Sequence, residues 1–114
     1  MFRWVLMAGL LAGPAAAEAE DWRALDGAAI SAALTARVLG YEGGGQQDFK
    51  ADGTTIYDAG KPSLGRWGVR GDQYCSVWPP SEVWACYDVA ASGLKIRFRA
   101  ADGSETLGTY IDMN

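Results

Sequence analysis

Between Asp21 and Leu39 the apolar residues Leu25, Ile30, Leu34 and Val38 recur at spacings of four or five, which predicts one helix over 21–39. Asp26 stands where an N-cap belongs, ahead of an Ala-rich run. After Gly40 the period changes. Short runs of Val, Thr, Tyr, Trp and Phe alternate with Gly-containing turn signals, the pattern of an antiparallel meander. Asp52-Gly53 joins 47–50 to 54–58, Gly71-Asp72 joins 64–70 to 73–77, Ser92-Gly93 precedes 94–99, and Asp102-Gly103 precedes 106–111. With 38–41 and 83–89 included, about eight strands are expected. One helix cannot cover so many strands, so the expected fold is mainly β: an N-terminal helix, then a meander closed into a small barrel or folded into a sandwich.

The segment around the two cysteines predicts a register. Placing Cys75 opposite Cys86 sets Tyr74 opposite Tyr87, Ser76 opposite Ala85 and Val77 opposite Trp84, with Pro79-Pro80-Ser81-Glu82 at the tip. A two-residue turn at Gly71-Asp72 then sets Gly68 opposite Cys75, Val69 opposite Tyr74 and Arg66 opposite Val77. Trp67, Val69, Tyr74, Tyr87 and Val89 fall on the core face, and Arg66, Gly68, Arg70, the cysteines and Trp84 on the other, with Arg66 expected against the Trp84 ring. Trp78, Pro79, Pro80, Ser81, Glu82 and Trp84, together with Arg66, form the candidate binding edge. Prolines hold two indoles near a hairpin tip at little entropic cost, and the alternative is that the indoles plug the barrel end.

The N-terminus changes where this fold is expected to work. Met1-Phe2-Arg3, an apolar stretch over 4–11 and Ala15-Ala16-Ala17 read as a signal peptide over 1–17, too short to span a bilayer and interrupted by Gly13-Pro14. Residues 18–114 are then a single exported domain, periplasmic or secreted, without a stable membrane anchor after cleavage. Losing Arg3 leaves nine Lys and Arg against fourteen Asp and Glu, a formal charge of −5, which does not favour nucleic acid or anionic lipid. In an oxidising compartment Cys75 and Cys86 are expected as a disulfide, since ten residues separate them where a redox motif has two.

Candidate chemistry is sparse. With no histidine, the usual general base, the commonest zinc ligand and the Ser-His or Cys-His pairs are all missing. Asp48, Asp52, Asp58, Glu82 and Asp88 stand at turns and strand ends, where solvated acids are expected rather than a glycosidase pair. Asp52, Thr54 and Asp58 lack a calcium-loop spacing, so no metal site and no cofactor is expected. The three glycines of 42–46 lack the Lys and helix start of a phosphate loop. Lys95, Arg97 and Arg99 form a basic stripe expected to pair with Glu105 or Asp112. The chain is therefore expected not to be an enzyme.

Residues 30–39 with Tyr41, then Gly65-Arg66-Trp67, Tyr74-Cys75-Ser76-Val77-Trp78-Pro79-Pro80-Ser81 and Trp84-Ala85-Cys86-Tyr87, resemble a group of small exported proteobacterial proteins of unknown function. The resemblance implies an exported β domain and no activity. A fainter similarity is to periplasmic lysozyme inhibitors, small disulfide-containing barrels that plug the enzyme's cleft with a Ser-Gly and basic-residue loop. Ser63-Leu64-Gly65-Arg66 echoes that loop, but Leu64 intervenes and no residue role is carried over. Two functions follow as expectations. One is a protein-interaction module with an envelope protein as partner, through the Trp-Pro-Pro tip. The other is a carrier of a small apolar ligand, disfavoured because Trp67, Tyr74, Tyr87 and Phe98 should fill so short a barrel.

Overall fold

The computed structural model describes residues 21–112, so the expected signal segment 1–17 lies outside the described residues. The elements are β1 (Arg23–Ala24), α1 (Gly27–Leu34), β2 (Arg37–Tyr41), β3 (Gln46–Phe49), β4 (Thr54–Asp58), β5 (Pro62–Arg70), β6 (Gln73–Val77), β7 (Ala85–Ser92), β8 (Lys95–Arg99) and β9 (Glu105–Tyr110). Each strand from β2 to β8 pairs antiparallel with its successor, and β9 returns to β2. The meander is thus a closed barrel, not a sandwich, and closure leaves its eight strands no free edge.

The helix is shorter than expected. Asp26 is the N-cap and accepts a hydrogen bond from the Ala29 N–H at 2.9 Å, but the turn ends at Leu34. Before it, Arg23 and Ala24 pair with Ala91 and Ala90 of β7, on the side β6 has vacated, because the β6–β7 ladder stops at Tyr74 and Tyr87. After it, Thr35 is extended and Ala36 takes a φ of 62°, its N–H bonding the Phe49 carbonyl at 2.7 Å. Val38 and Leu39, claimed both by the helical period and by the expected strand 38–41, belong to β2, where Leu39 is fully buried in the barrel. Local periodicity loses here to strand pairing and barrel burial.

α1 closes one end. Asp72, in the β5–β6 turn, accepts from the Gly27 N–H at 2.8 Å, and the Tyr110 hydroxyl donates to the Ala33 carbonyl at 2.6 Å. Ile30 and Leu34 are fully buried in one cluster with Leu25, Leu39, Ile96 and Phe49. Burying a branched aliphatic side chain of this kind stabilises by roughly 1.5–3 kcal/mol, so α1 is held chiefly by its plug residues.

The expected register around the disulfide is present. Cys75 faces Cys86, Tyr74 faces Tyr87, Gly68 faces Cys75, and Arg66 faces Val77. Cys75 and Cys86 are bonded with their Cα atoms 4.0 Å apart. The expected Val77–Trp84 pair is absent because β6 ends at Val77 and β7 starts at Ala85. Pro79 and Pro80 have no N–H to lend a ladder, and the chain turns instead with Ser81 N–H bonding the Trp78 carbonyl at 3.1 Å and Val83 N–H bonding Ser81 Oγ at 3.1 Å.

Candidate functional site: the open mouth of the barrel

The end opposite α1 is formed by the 42–45, 59–61, 78–84 and 100–104 connections. Strand alternation sends Tyr41, Gln47, Tyr57, Tyr74, Ser76, Tyr87, Phe98 and Thr106 toward it from seven different strands. With Trp78, Gly43 and Gly44 they line a cavity of about 360 Å³. The residues expected inside the barrel, Trp67, Tyr74, Tyr87 and Phe98, do pack within it, and the last three also border this cavity. The closed half is filled, while the mouth half is not, because α1 supplies Ile30 and Leu34 to one end only.

Two glycines make the wall. A Cβ on Gly65 would come within 2.6 Å of the Trp78 ring, and one on Gly108 within 3.1 Å of the Tyr41 ring. Both aromatic rings lie against bare backbone, so the indole and the phenol take up width that two side chains would otherwise occupy. Tyr41 and Tyr57 approach with ring centroids 6.2 Å apart, and Tyr57 meets Trp78 edge-on at 6.5 Å. Tyr74 contacts Tyr87 at 5.8 Å and Phe98 at 5.1 Å.

Gln47 organises the polar floor and is only 5% exposed. Its Oε1 accepts from the Tyr41 hydroxyl at 2.5 Å, and its Nε2 donates to Thr55 Oγ1 at 2.9 Å and to the Tyr74 hydroxyl oxygen at 3.0 Å. Thr55 in turn donates to the Asp48 carbonyl at 2.8 Å. Both amide hydrogens are therefore committed, as a buried carboxamide requires. Among the described residues the Tyr57 and Tyr87 hydroxyls take no hydrogen bond.

Burial pushes the Tyr41 phenol far above its ordinary value, and the neighbouring phenols of Tyr74, Tyr57 and Tyr87 add to the effect. Tyr74 is raised as well, again first by burial, with hydrogen bonds from Ser76 and Gln47 opposing it. A raised folded-state value means the folded barrel keeps protons that the unfolded chain gives up. The stabilisation is whole below the unfolded tyrosine value of about 10 and is lost as pH rises past it. Denaturation measured from pH 8 to pH 11 should show stability falling above about pH 10, with the Tyr41 and Tyr74 phenolates forming only as the barrel opens. Reversible ionisation of Tyr41 and Tyr74 near pH 10 in an intact barrel would contradict this burial.

The candidate binding edge is divided by the barrel wall. Trp78 faces the mouth and also borders an outer hollow of about 390 Å³ with Tyr57, Ser63, Leu64 and Pro79. Trp84 lies on the disulfide side, where the Arg70 guanidinium, not that of Arg66, stands 4.2 Å from its ring centre. Arg66 leans toward the β3–β4 turn. There the Asp52 carboxyl is held below its ordinary range first by the Thr54 N–H, with the Lys50 and Arg66 charges assisting. Turn carboxylate and guanidinium attract across the strands, which takes Arg66 away from Trp84. Pro80, Ser81 and Glu82 are exposed, and among the described residues no ring contact joins Trp78 to Trp84. On β8, Arg99 pairs with Glu105 at 2.7 Å and Arg97 with the same carboxylate at 3.9 Å, whereas Asp112 is held by Arg37 at 3.3 Å.

Tyr41, Gln47 and Tyr57 are the mouth residues that the sequence reading did not single out. The signal for them is a glutamine two positions from Phe49 on the inward side of a strand, since a carboxamide on a core face needs buried polar partners. Compared with family models, curated proteins and solved structures, the chain matches none.

Proposed function

We propose that this chain is an exported, non-enzymatic binding protein whose barrel mouth takes a small organic molecule. The observation that carries this reading is the cavity of about 360 Å³, open at one end and floored by the buried Gln47 amide at the other. Ligand pockets are typically concave, mostly apolar and furnished with a few fixed polar groups, and roughly 300–1,000 Å³ in size. The mouth has aromatic walls and a preorganised Gln47 amide. Among the described residues its lining contains no carboxylate, thiol or amine to act as a nucleophile or general base. The disulfide accords with an oxidising compartment, hence with export.

A protein partner is the second reading, favoured by Leu64 at 64% and Val83 at 77% exposure flanking the tip. One experiment separates the two. The oxidised, isotope-labelled protein is titrated with a panel of small neutral, cationic and anionic aromatic or branched compounds, and with envelope extract in parallel, while amide and indole resonances are followed. Saturable shifts at Gly43, Gly44, Tyr57, Trp78 and Tyr87 with a panel compound are the expected result. Shifts confined to Leu64, Val83 and Trp84 with extract, and none with the panel, would replace the ligand reading by the protein-partner one.

A further inference from the structure

We propose that the mouth is selective for an organic cation of the trimethylammonium class. The inference rests on the mouth being a ligand site and adds the charge its ligand carries. Three features of the lining point the same way.

First, among the described residues no charged side chain lines the cavity. A carboxylate or phosphate entering it would lose its hydration without meeting a counter-charge. Second, the Tyr41 hydroxyl and the Gln47 amide have used their donors internally. The Tyr41 hydroxyl gives its proton to Gln47, and the Gln47 amide gives both of its own to Thr55 and Tyr74. The Tyr41 and Gln47 oxygens can still offer a ligand lone pairs, which attract a cation, while the Tyr57, Tyr74 and Tyr87 hydroxyls keep their own hydrogens. Third, Tyr41, Tyr57, Tyr74, Trp78, Tyr87 and Phe98 surround the space with aromatic rings. The negative quadrupole faces of such rings are the usual recognition element for quaternary ammonium groups, which need no hydrogen bond and are cheap to desolvate. The formal charge of the chain, −4, favours approach of a cation as well.

The test uses three probes of nearly one shape on the oxidised, full-length secreted form: choline, 3,3-dimethylbutan-1-ol, in which carbon replaces the nitrogen, and 3,3-dimethylbutanoate. Binding is read from the Trp78 indole N–H and the Gly43 and Gly44 amides. Choline is expected to bind about tenfold or more tightly than the alcohol, with no saturable shift from the carboxylate. Trp78→Leu should weaken choline about fivefold or more while leaving the alcohol within about twofold, and Tyr57→Phe, which keeps the ring, should leave the selectivity intact. The probe comparison is made in the unaltered chain and stands even if Trp78→Leu does not fold. Equal binding of choline and the alcohol overturns the cation inference and leaves the mouth as a ligand site. Failure of choline to move the mouth resonances overturns it too, and the wider panel then decides the ligand reading separately.

Discussion

Phe49→Ala is expected to lower the stability of the barrel by about 3–5 kcal/mol, the range for deleting a large aromatic from a packed core. Phe49 is fully buried and meets Trp67 edge-on at 5.6 Å, Tyr74 edge-on at 5.8 Å, and Phe98 in a stacked arrangement at 6.4 Å. Those neighbours belong to two different parts of the interior. Trp67 reaches the closed end, where its indole N–H donates to the Lys50 carbonyl at 2.9 Å, whereas Tyr74 and Phe98 line the mouth. The ring is the partition between the filled half and the open half. Its removal should drop the melting temperature by more than about 10 °C and extend the cavity downward toward Ile30 and Leu34. Thermal and denaturant unfolding measure the first effect. A loss below about 1 kcal/mol would show that the aromatic neighbours collapse into the space and that Phe49 is not the partition.

Replacing Cys75 and Cys86 together by Ala is expected to cost about 2–3 kcal/mol, the chain-entropy estimate for a loop this short. The disulfide bridges β6 and β7 directly beside the Tyr74–Tyr87 pair, which lines the mouth from the inner side of the same two strands. Loosening that ladder should therefore weaken ligand capture as well as lower the melting temperature. Comparison of the oxidised protein with the double variant tests both. An unchanged melting temperature would mean that the ladder holds the two strands without the bridge.

Much of the barrel is written in its turns. Asp52-Gly53, Gly71-Asp72 and Asp102-Gly103 sit at hairpin reversals, with Gly53, Gly71 and Gly103 all at positive φ, so the strand boundaries follow from residues that only a reversal accommodates easily. The cysteine pairing and the two-residue turn at Gly71-Asp72 then fix the register of three strands, because side chains alternate and a slip of one would turn every core residue outward. The length of α1 is not written locally. Val38 fits a helical period as well as a strand, and the choice is made by β3, just downstream, and by β9, which reaches β2 from the far end of the described chain.

The site was less legible than the fold for a related reason. Trp78 and Trp84 look like one edge in sequence, yet strand alternation and the turn between them send one indole to the mouth and the other to the outer wall. Tyr41, Tyr57 and Tyr87 come together only when the barrel closes, since closure brings strands far apart in sequence around one opening. Gln47 carries the best local hint, a polar residue on an inward position, but its partners Tyr41, Thr55 and Tyr74 come from three strands.

Both limits of the described chain lie at the stoppered end. β1 runs beside Ala90 and Ala91, and Asp112 is fastened to the start of β2 by Arg37 and by the Val38 N–H at 3.0 Å. A linker fused before Asp21 or after Asp112 therefore leaves from the base of the cup. Tethered by either end to a bead, a sensor chip or a larger assembly, the domain would hold its opening outward, clear of its own support.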